Sequence, residues 1–272
     1  MVDNIIITFL ICSDILESFG HIDDRRCKVS LAEILTIVII AGKYFSGNYQ
    51  KSRSFFEAHG YTKGISKSRF IRRLNNVSPN VLETIFTVMA KCFKHSNKNK
   101  LYAIDSFPIP VCSSIRINKC KIYKQRKYVG FNAVKKGFFR GIKVHMLVTE
   151  NGSPVKFIIR PGSESDIKVA KKFDLDLEKD SKIYADKAYN DYKLEDHLKK
   201  EKSIYFIPKR KKNSKRSNIG FCGKTRKIVE TAFSLIIRNF PNKIHAITPK
   251  GFIIKVKMFI FAYMLKFVRL AT

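Results

Sequence analysis

Hydrophobic and polar positions follow two rhythms along this chain, and the change falls near residue 100. Before it the period is helical. Leu31–Ala41 is almost continuously apolar and opens on Ser30, with Glu33 three positions on. That pairing predicts a helix whose first turn is closed by a capping box. Gly60 and Gly64 break the chain, and Ser66–Leu74 (SKSRFIRRL) then reads as a short basic amphipathic helix. A turn at Asn75–Pro79 leads into another helix from Val81 to about Phe93. A helix, a turn containing glycine and a basic helix resemble a helix-turn-helix, so Lys67, Arg69, Arg72 and Arg73 are candidates for reading a DNA end. The competing expectation is that these helices only pack.

His95–Lys100 (HSNKNK) is polar and marks the expected boundary, with a helical domain over 1–98 and a second domain over 99–272. Beyond it the pattern becomes strand-like. Tyr102–Pro108, Gly141–Thr149 and Pro154–Arg160 read as three strands, the last two joined by an Asn151-Gly152 hairpin turn. A helix over about 164–173 follows, then strand Lys182–Asp186, helix Tyr192–Lys200 and strand Ser203–Ile207. Two closing helices cover about Lys224–Phe240 and Phe252–Val268; Lys255, Lys257 and Lys266 interrupt the second, which reads as a packing helix. This order predicts an α/β, ribonuclease-H-like domain, a mixed five-stranded sheet flanked by helices. In that fold the first and fourth strands are neighbours, so Asp105 and Asp186 should meet across 81 positions.

Charge changes the picture next. The chain carries 53 Lys and Arg against 22 Asp and Glu, a net +31, with 45% hydrophobic residues over 272 positions. Residues 1–100 hold 15 basic and 8 acidic residues, net +7, which leaves +24 for 101–272. Such an excess points to a polyanionic partner, double-stranded DNA above all. Cys12, Cys27, Cys92, Cys112, Cys120 and Cys222 form no CxxC pair and have no histidine at finger spacing, so zinc is not expected and free thiols in a reducing cytosol are. The apolar stretch Ile5–Cys12 is too short to span a membrane and makes a poor signal peptide, so no membrane partner is expected.

Against this basic background three acids stand out. Asp105 ends the apolar run Leu101–Ile104, Asp186 ends Ile183–Ala185, and Glu230 lies in a helical pattern of Ile228, Val229, Phe233, Ile236 and Ile237. Carboxylates in apolar runs are paired, hydrogen-bonded or bound to metal. Two strand-end aspartates and a helical glutamate suit two Mg²⁺ ions that activate a nucleophile and stabilise the leaving oxygen in phosphodiester chemistry, with Mn²⁺ as a substitute. Asp105 is expected to bridge both ions, with Asp186 and Glu230 each completing one side. Arg226, Glu230, Ser234 and Arg238 recur every four residues on one stripe. Lys209, Arg210, Lys211, Lys212, Lys215 and Arg216 pack six cations into eight positions, a candidate phosphate-binding loop. Lys187 and Asn190, just after Asp186, are further DNA-backbone candidates. Asp166 is assigned a capping or orienting role, His145 and His245 are taken as core histidines, and Asp191, Glu195 and Asp196 as acids of a helix N-terminal turn.

At these residues the chain resembles the DDE transposases of bacterial insertion sequences, most closely insertion-sequence family 982. The matching stretches are Ala103–Val111, Gly141–Thr149, Pro161–Asp166, Ala185–Tyr192, Arg210–Arg216, Lys227–Ser234 and Ile244–Phe252. The resemblance implies Asp105, Asp186 and Glu230 as catalytic metal ligands, a Mg²⁺ requirement, and cutting and joining at transposon ends. It also implies a homodimer on transposon-end and target DNA, acting on a bacterial chromosome in the cytoplasm. Arg226 fits the arginine preceding the glutamate in related enzymes. Gly223 stands where a tyrosine is common and Ile237 where a lysine is, with Arg238 the nearest cation; the segment from Arg216 to Arg226 is short. The alternatives are a non-catalytic DNA-binding remnant of a transposase and a structure-specific DNA nuclease that cuts without joining.

Overall fold

A computed structural model describes residues 1–132, 136–241 and 244–268. The chain divides into two compact units, one of residues 1–89 with 235–272, the other of residues 90–234. The helical unit thus takes in the end of the chain as well as its beginning, which differs from the cut expected at 98/99.

In the helical unit, α1 (Val2–Ser18), α2 (Leu31–Tyr44), α3 (Tyr49–Ala58), α4 (Lys67–Asn75) and the first part of α5 (Pro79–Ser96) are joined by α9 (Pro249–Met264). The capping box at α2 is present: Ser30 accepts from the Glu33 amide at 3.1 Å, and Glu33 accepts from the Ser30 amide. Ile34, Leu35, Ile37, Val38, Ile40 and Ala41 are wholly buried, so α2 is the core of the unit. Gly42 explains how α9 reaches it. A β-carbon there would lie 3.2 Å from Ala262 Cβ and from the Met258 carbonyl oxygen. α9 is buried from Met258 to Leu265, and desolvation lowers the pKa of Lys255 and Lys257 on its other turns. Among the described residues no single helix is long and apolar enough to cross a membrane.

The second unit holds β1 (Leu101–Ser113), β2 (Val129–Asn132), β3 (Gly137–Thr149), β4 (Pro154–Pro161), α6 (Asp166–Ala170), β5 (Lys182–Ala185), α7 (Tyr192–Lys202), β6 (Tyr205–Pro208) and most of α8 (Gly223–Arg238). The strands make one mixed sheet of six, not five. In the four-residue β2, Gly130 and Asn132 break up the apolar positions, and it pairs with one end of β3 while β4 pairs with the other. β3 lies antiparallel to β1, and β5 and β6 continue the sheet on the far side of β1 in parallel. The Asn151-Gly152 hairpin is present, with Gly152 at φ +89°. The Asn151 carboxamide oxygen accepts from the Thr149 hydroxyl at 2.6 Å and from the Ser153 amide at 3.1 Å. The helix expected over 164–173 is confined to α6. HSNKNK lies inside this unit: His95 and Ser96 end α5, and 97–100 form a tight turn, where the buried Asn97 donates to the Leu101 carbonyl at 3.1 Å.

Candidate active site

Parallel pairing of β1 with β5 brings the two aspartates together. The last paired residues of these two strands are Ile104 and Ala185. β5 ends there while β1 runs on against β3, so Asp105 lies within β1 opposite Met146, not at a strand end as expected, and Asp186 follows the end of β5 beside it. Buried Tyr102, Ala103, Ile104, Ile183, Tyr184 and Ala185 anchor both strands and fix that register. Asp186 is half-buried and opens a short 3₁₀ turn, Lys187–Tyr189. α8 supplies the third acid. Phe233 packs on Phe107 of β1 with ring centroids 4.4 Å apart, and Val229 and Ala232 are buried on the same face. Glu230 is left on the other side of the helix, 48% exposed.

Arg226 joins the acids. Its Nη2 lies 3.7 Å from Asp105 Oδ2 and is hydrogen-bonded to Glu230 Oε1 one turn along α8. The i,i+4 spacing that reads as an ordinary surface pair therefore makes a bridge between two of the three expected ligands. Among the described residues no three His, Cys, Asp or Glu side chains gather closely enough to hold a metal ion, and Glu230 is hydrogen-bonded to Arg226. The donor set nonetheless fits a hard divalent cation. Burial, with Asp186 and Asp166 adding like charge, pushes the Asp105 carboxyl up to about 6 against the lowering effect of the Ser106 amide and Arg226. A carboxylate so short of compensating charge is relieved by a cation, and Mg²⁺ binds through two or three carboxylates while keeping waters.

Behind Asp105 lies a polar layer that the sequence does not announce. Ser106 donates its amide to Asp105 Oδ1 at 2.8 Å and its hydroxyl to Asp166 Oδ1 at 2.8 Å. Lys143 Nζ lies 3.3 Å from the same Asp166 oxygen, and His145 Nδ1 3.7 Å. Asp166 thus orients the chain around Asp105, the role expected of it. His145 is wholly buried, and desolvation pushes it down to about 4, so it is a neutral core histidine. His245 is instead exposed, so its assignment to a core is corrected.

The DNA-binding candidates divide by residue type. In the basic loop Lys209, Lys211, Lys212 and Lys215 are exposed. Arg210 and Arg216 are engaged with acids: Arg210 grips Glu195 with two hydrogen bonds of 2.6 and 2.8 Å, and Arg216 reaches Glu195 at 2.9 Å and Asp196 at 2.9 and 2.8 Å. Both guanidinium groups lie over the Tyr192 ring, at 5.7 and 4.6 Å from its centre. Glu195 is 6% exposed, so it is the buried anchor of the loop and more than a dipole-matching acid of a first turn. Asp191 does cap α7, accepting from the Leu194 amide at 2.9 Å. Asn190 donates to the Lys209 carbonyl at 2.6 Å and to the Lys187 carbonyl at 2.9 Å, tying the turn after Asp186 to the loop; Lys187 itself is exposed. Arg238 is exposed at the end of α8.

On α4 residue type does not divide the candidates: Lys67, Arg69 and Arg72 are exposed, while Arg73 is held by Asp23 and the Val29 carbonyl. In KRKKNSKR it does, because arginine's rigid fork suits carboxylate pairing better than lysine's single ammonium.

Residues 95–246 match the family model described as the transposase DDE domain, more than half of the chain. No curated protein and no solved structure matches it. The matched span carries Asp105 within β1, Asp186 after the end of β5 beside it, Glu230 on the helix that packs on β1, and the loop clasped by Glu195. The chain belongs to the DDE-domain transposases.

Proposed function

We propose that the protein is an insertion-sequence transposase of the family 982 type, which binds transposon-end DNA and cuts and joins its strands in a Mg²⁺-dependent reaction. The observation that carries this reading is the register placing Asp105 beside Asp186, with Glu230 reached through Arg226, in a chain of +31 net charge. When bound, the divalent ions would supply an activated nucleophile and charge stabilisation at the leaving oxygen. Asp105 and Asp186 would hold them where β5 ends beside β1, with Glu230 as the third ligand. Arg226, between Asp105 and Glu230, carries a fork suited to a phosphate oxygen. Ser106 and Asp166 keep the Asp105 carboxyl in place. The free lysines of the 209–216 loop hold the duplex backbone, and Lys67, Arg69 and Arg72 select the end.

A second reading has one observation in its favour: Arg226 already neutralises Asp105 and Glu230, as it would in a DNA-binding descendant that has lost catalysis. The two separate when purified protein is incubated with Mg²⁺ and a duplex carrying the ends that flank its gene. A transposase yields nicked ends and joined strands. A nuclease yields cuts without joints, and a silent descendant yields a bound but intact duplex.

A further inference from the structure

The helical unit contains a cleft of about 360 Å³ whose chemistry the acidic site does not use. Arg53, Lys67, His245 and Lys255 line it, with Asn48 and Tyr49, and among the described residues no acidic side chain does. Arg53 directs Nη1 to Gln50 at 2.9 Å and Nη2 to the Ile65 carbonyl, and its ring-facing side lies 5.4 Å over Phe70. Its buried Nε finds no hydrogen-bond partner among the described residues, and neither does the buried hydroxyl of Tyr49. Lys255 lies 5.2 Å over the Tyr49 ring and donates to the His245 carbonyl at 2.5 Å, a neutral acceptor that leaves its charge uncompensated. The N-terminus of α3 opens here too. Asn48 caps it by accepting from the Lys51 amide at 3.0 Å, while Tyr49 and Gln50 of the first turn line the cleft.

Each element alone has an ordinary explanation in a basic protein. Together they surround one volume with three cations and a helix N-terminus and no acid among the described residues. Cations gathered without counter-charge repel one another, and burial already disfavours the charge of Lys255. One tetrahedral anion offsets this, since a helix N-terminus and converging N–H groups are complementary to it. Lys67 is shared between this cleft and the exposed basic face of α4, which carries Arg69 and Arg72. We propose that the cleft is a phosphate-binding site, and that its occupant is a backbone phosphate of duplex DNA lying along α4. Only the DNA origin of that phosphate rests on the transposase reading; the phosphate chemistry does not.

The test compares wild type with Lys67→Gln, at an exposed position where the fold is not at stake, and Lys255→Met, which keeps the buried stem. In one arm inorganic pyrophosphate is added during thermal melting. The wild type should gain more stability than either variant. In the other arm duplex affinity is measured against salt. With one phosphate fewer neutralised, the slope of log affinity against log salt should become shallower by about 0.9 in each variant. Equal pyrophosphate stabilisation of all three proteins overturns the site, whatever the duplex arm shows. Stabilisation lost in the variants with an unchanged duplex slope overturns the DNA assignment and leaves a small free phosphate compound as the occupant. A wild type that binds no duplex but keeps the pyrophosphate difference removes the transposase reading and retains the site.

Discussion

Arg226 is the residue on which the chemistry of the site turns. Its guanidinium stands where a divalent ion would otherwise balance Asp105 and Glu230, so metal binding and this ion pair compete. In Arg226→Ala the two acids lose their shared cation, and the metal-free protein should melt at a lower temperature. Added Mg²⁺ should then raise the melting temperature more than it does in wild type; a smaller rise would mean that Arg226 helps to hold the ion. His145 gives a second residue-scale expectation. Its pKa is pushed by burial from 6.5 to about 4, so the folded state takes up its proton less readily than the unfolded chain. Stability from this group is present above pH 6.5 and is lost as pH falls toward 4. Asp105, pushed up to about 6, contributes with the opposite sign over the same interval, so the readout is the difference between proteins: as pH falls from 6.5 to 4 the melting temperature of wild type should fall relative to that of His145→Leu. At this scale the sequence was legible where a carboxylate interrupts an apolar run, as at Asp105 and Asp186. It pointed to an orienting role for Asp166 but not to its partner Ser106, because a hydrogen bond between positions 60 apart leaves no local pattern.

At the scale of elements, the basic loop behaves as a part held in place by α7. Glu195 accepts from both Arg210 and Arg216 inside the unit; without it Arg216 keeps Asp196, but the largely buried Arg210 loses its acid partner. Glu195→Ala should cost about 3–5 kcal/mol. It should also speed proteolysis within 209–218 and weaken duplex binding, although Glu195 itself repels phosphate. Unchanged cleavage in the loop would show that the clasp does not hold it. Neutralising Lys209, Lys211, Lys212 and Lys215 should instead leave stability unchanged and flatten the salt dependence of binding, by about 0.9 for each phosphate that is no longer neutralised. The strands around the site were readable from alternation and from the Asn151-Gly152 turn, and α2 from its capping box. β2 (VGFN) escaped because Gly130 and Asn132 break up its apolar positions, whereas the equally short β5 and β6 hold unbroken apolar runs, and α6 stopped short of the expected helix after Ala170.

For the whole molecule, the pattern of the chain locates its helical and sheet regions but not the company that α9 keeps. A buried helix can pack on a sheet or on other helices with the same composition, and only Gly42, small enough for close approach to Ala262, hints at the choice. The consequence is a prediction about truncation. A fragment of 99–272 retains α9 without α2, which exposes Phe252, Ile254, Val256 and Phe259 to water. That fragment should aggregate, whereas the full chain carrying Lys67→Ala, Arg69→Ala and Arg72→Ala should remain folded and lose its preference for transposon ends over random DNA. Light scattering and a binding competition read the two outcomes. A soluble fragment with full end preference would remove the helical unit from both roles.

Strand cleavage should require Asp105, Asp186 and Glu230 together, as one metal-dependent site on DNA. Strand cleavage of a labelled duplex bearing the flanking ends, with and without Mg²⁺, should be measured for wild type, Asp105→Asn, Asp186→Asn and Glu230→Gln, alongside duplex binding. The prediction is Mg²⁺-dependent cleavage by wild type alone, with binding kept by all four proteins. Cleavage without a divalent ion, or full activity in any of the three variants, contradicts it.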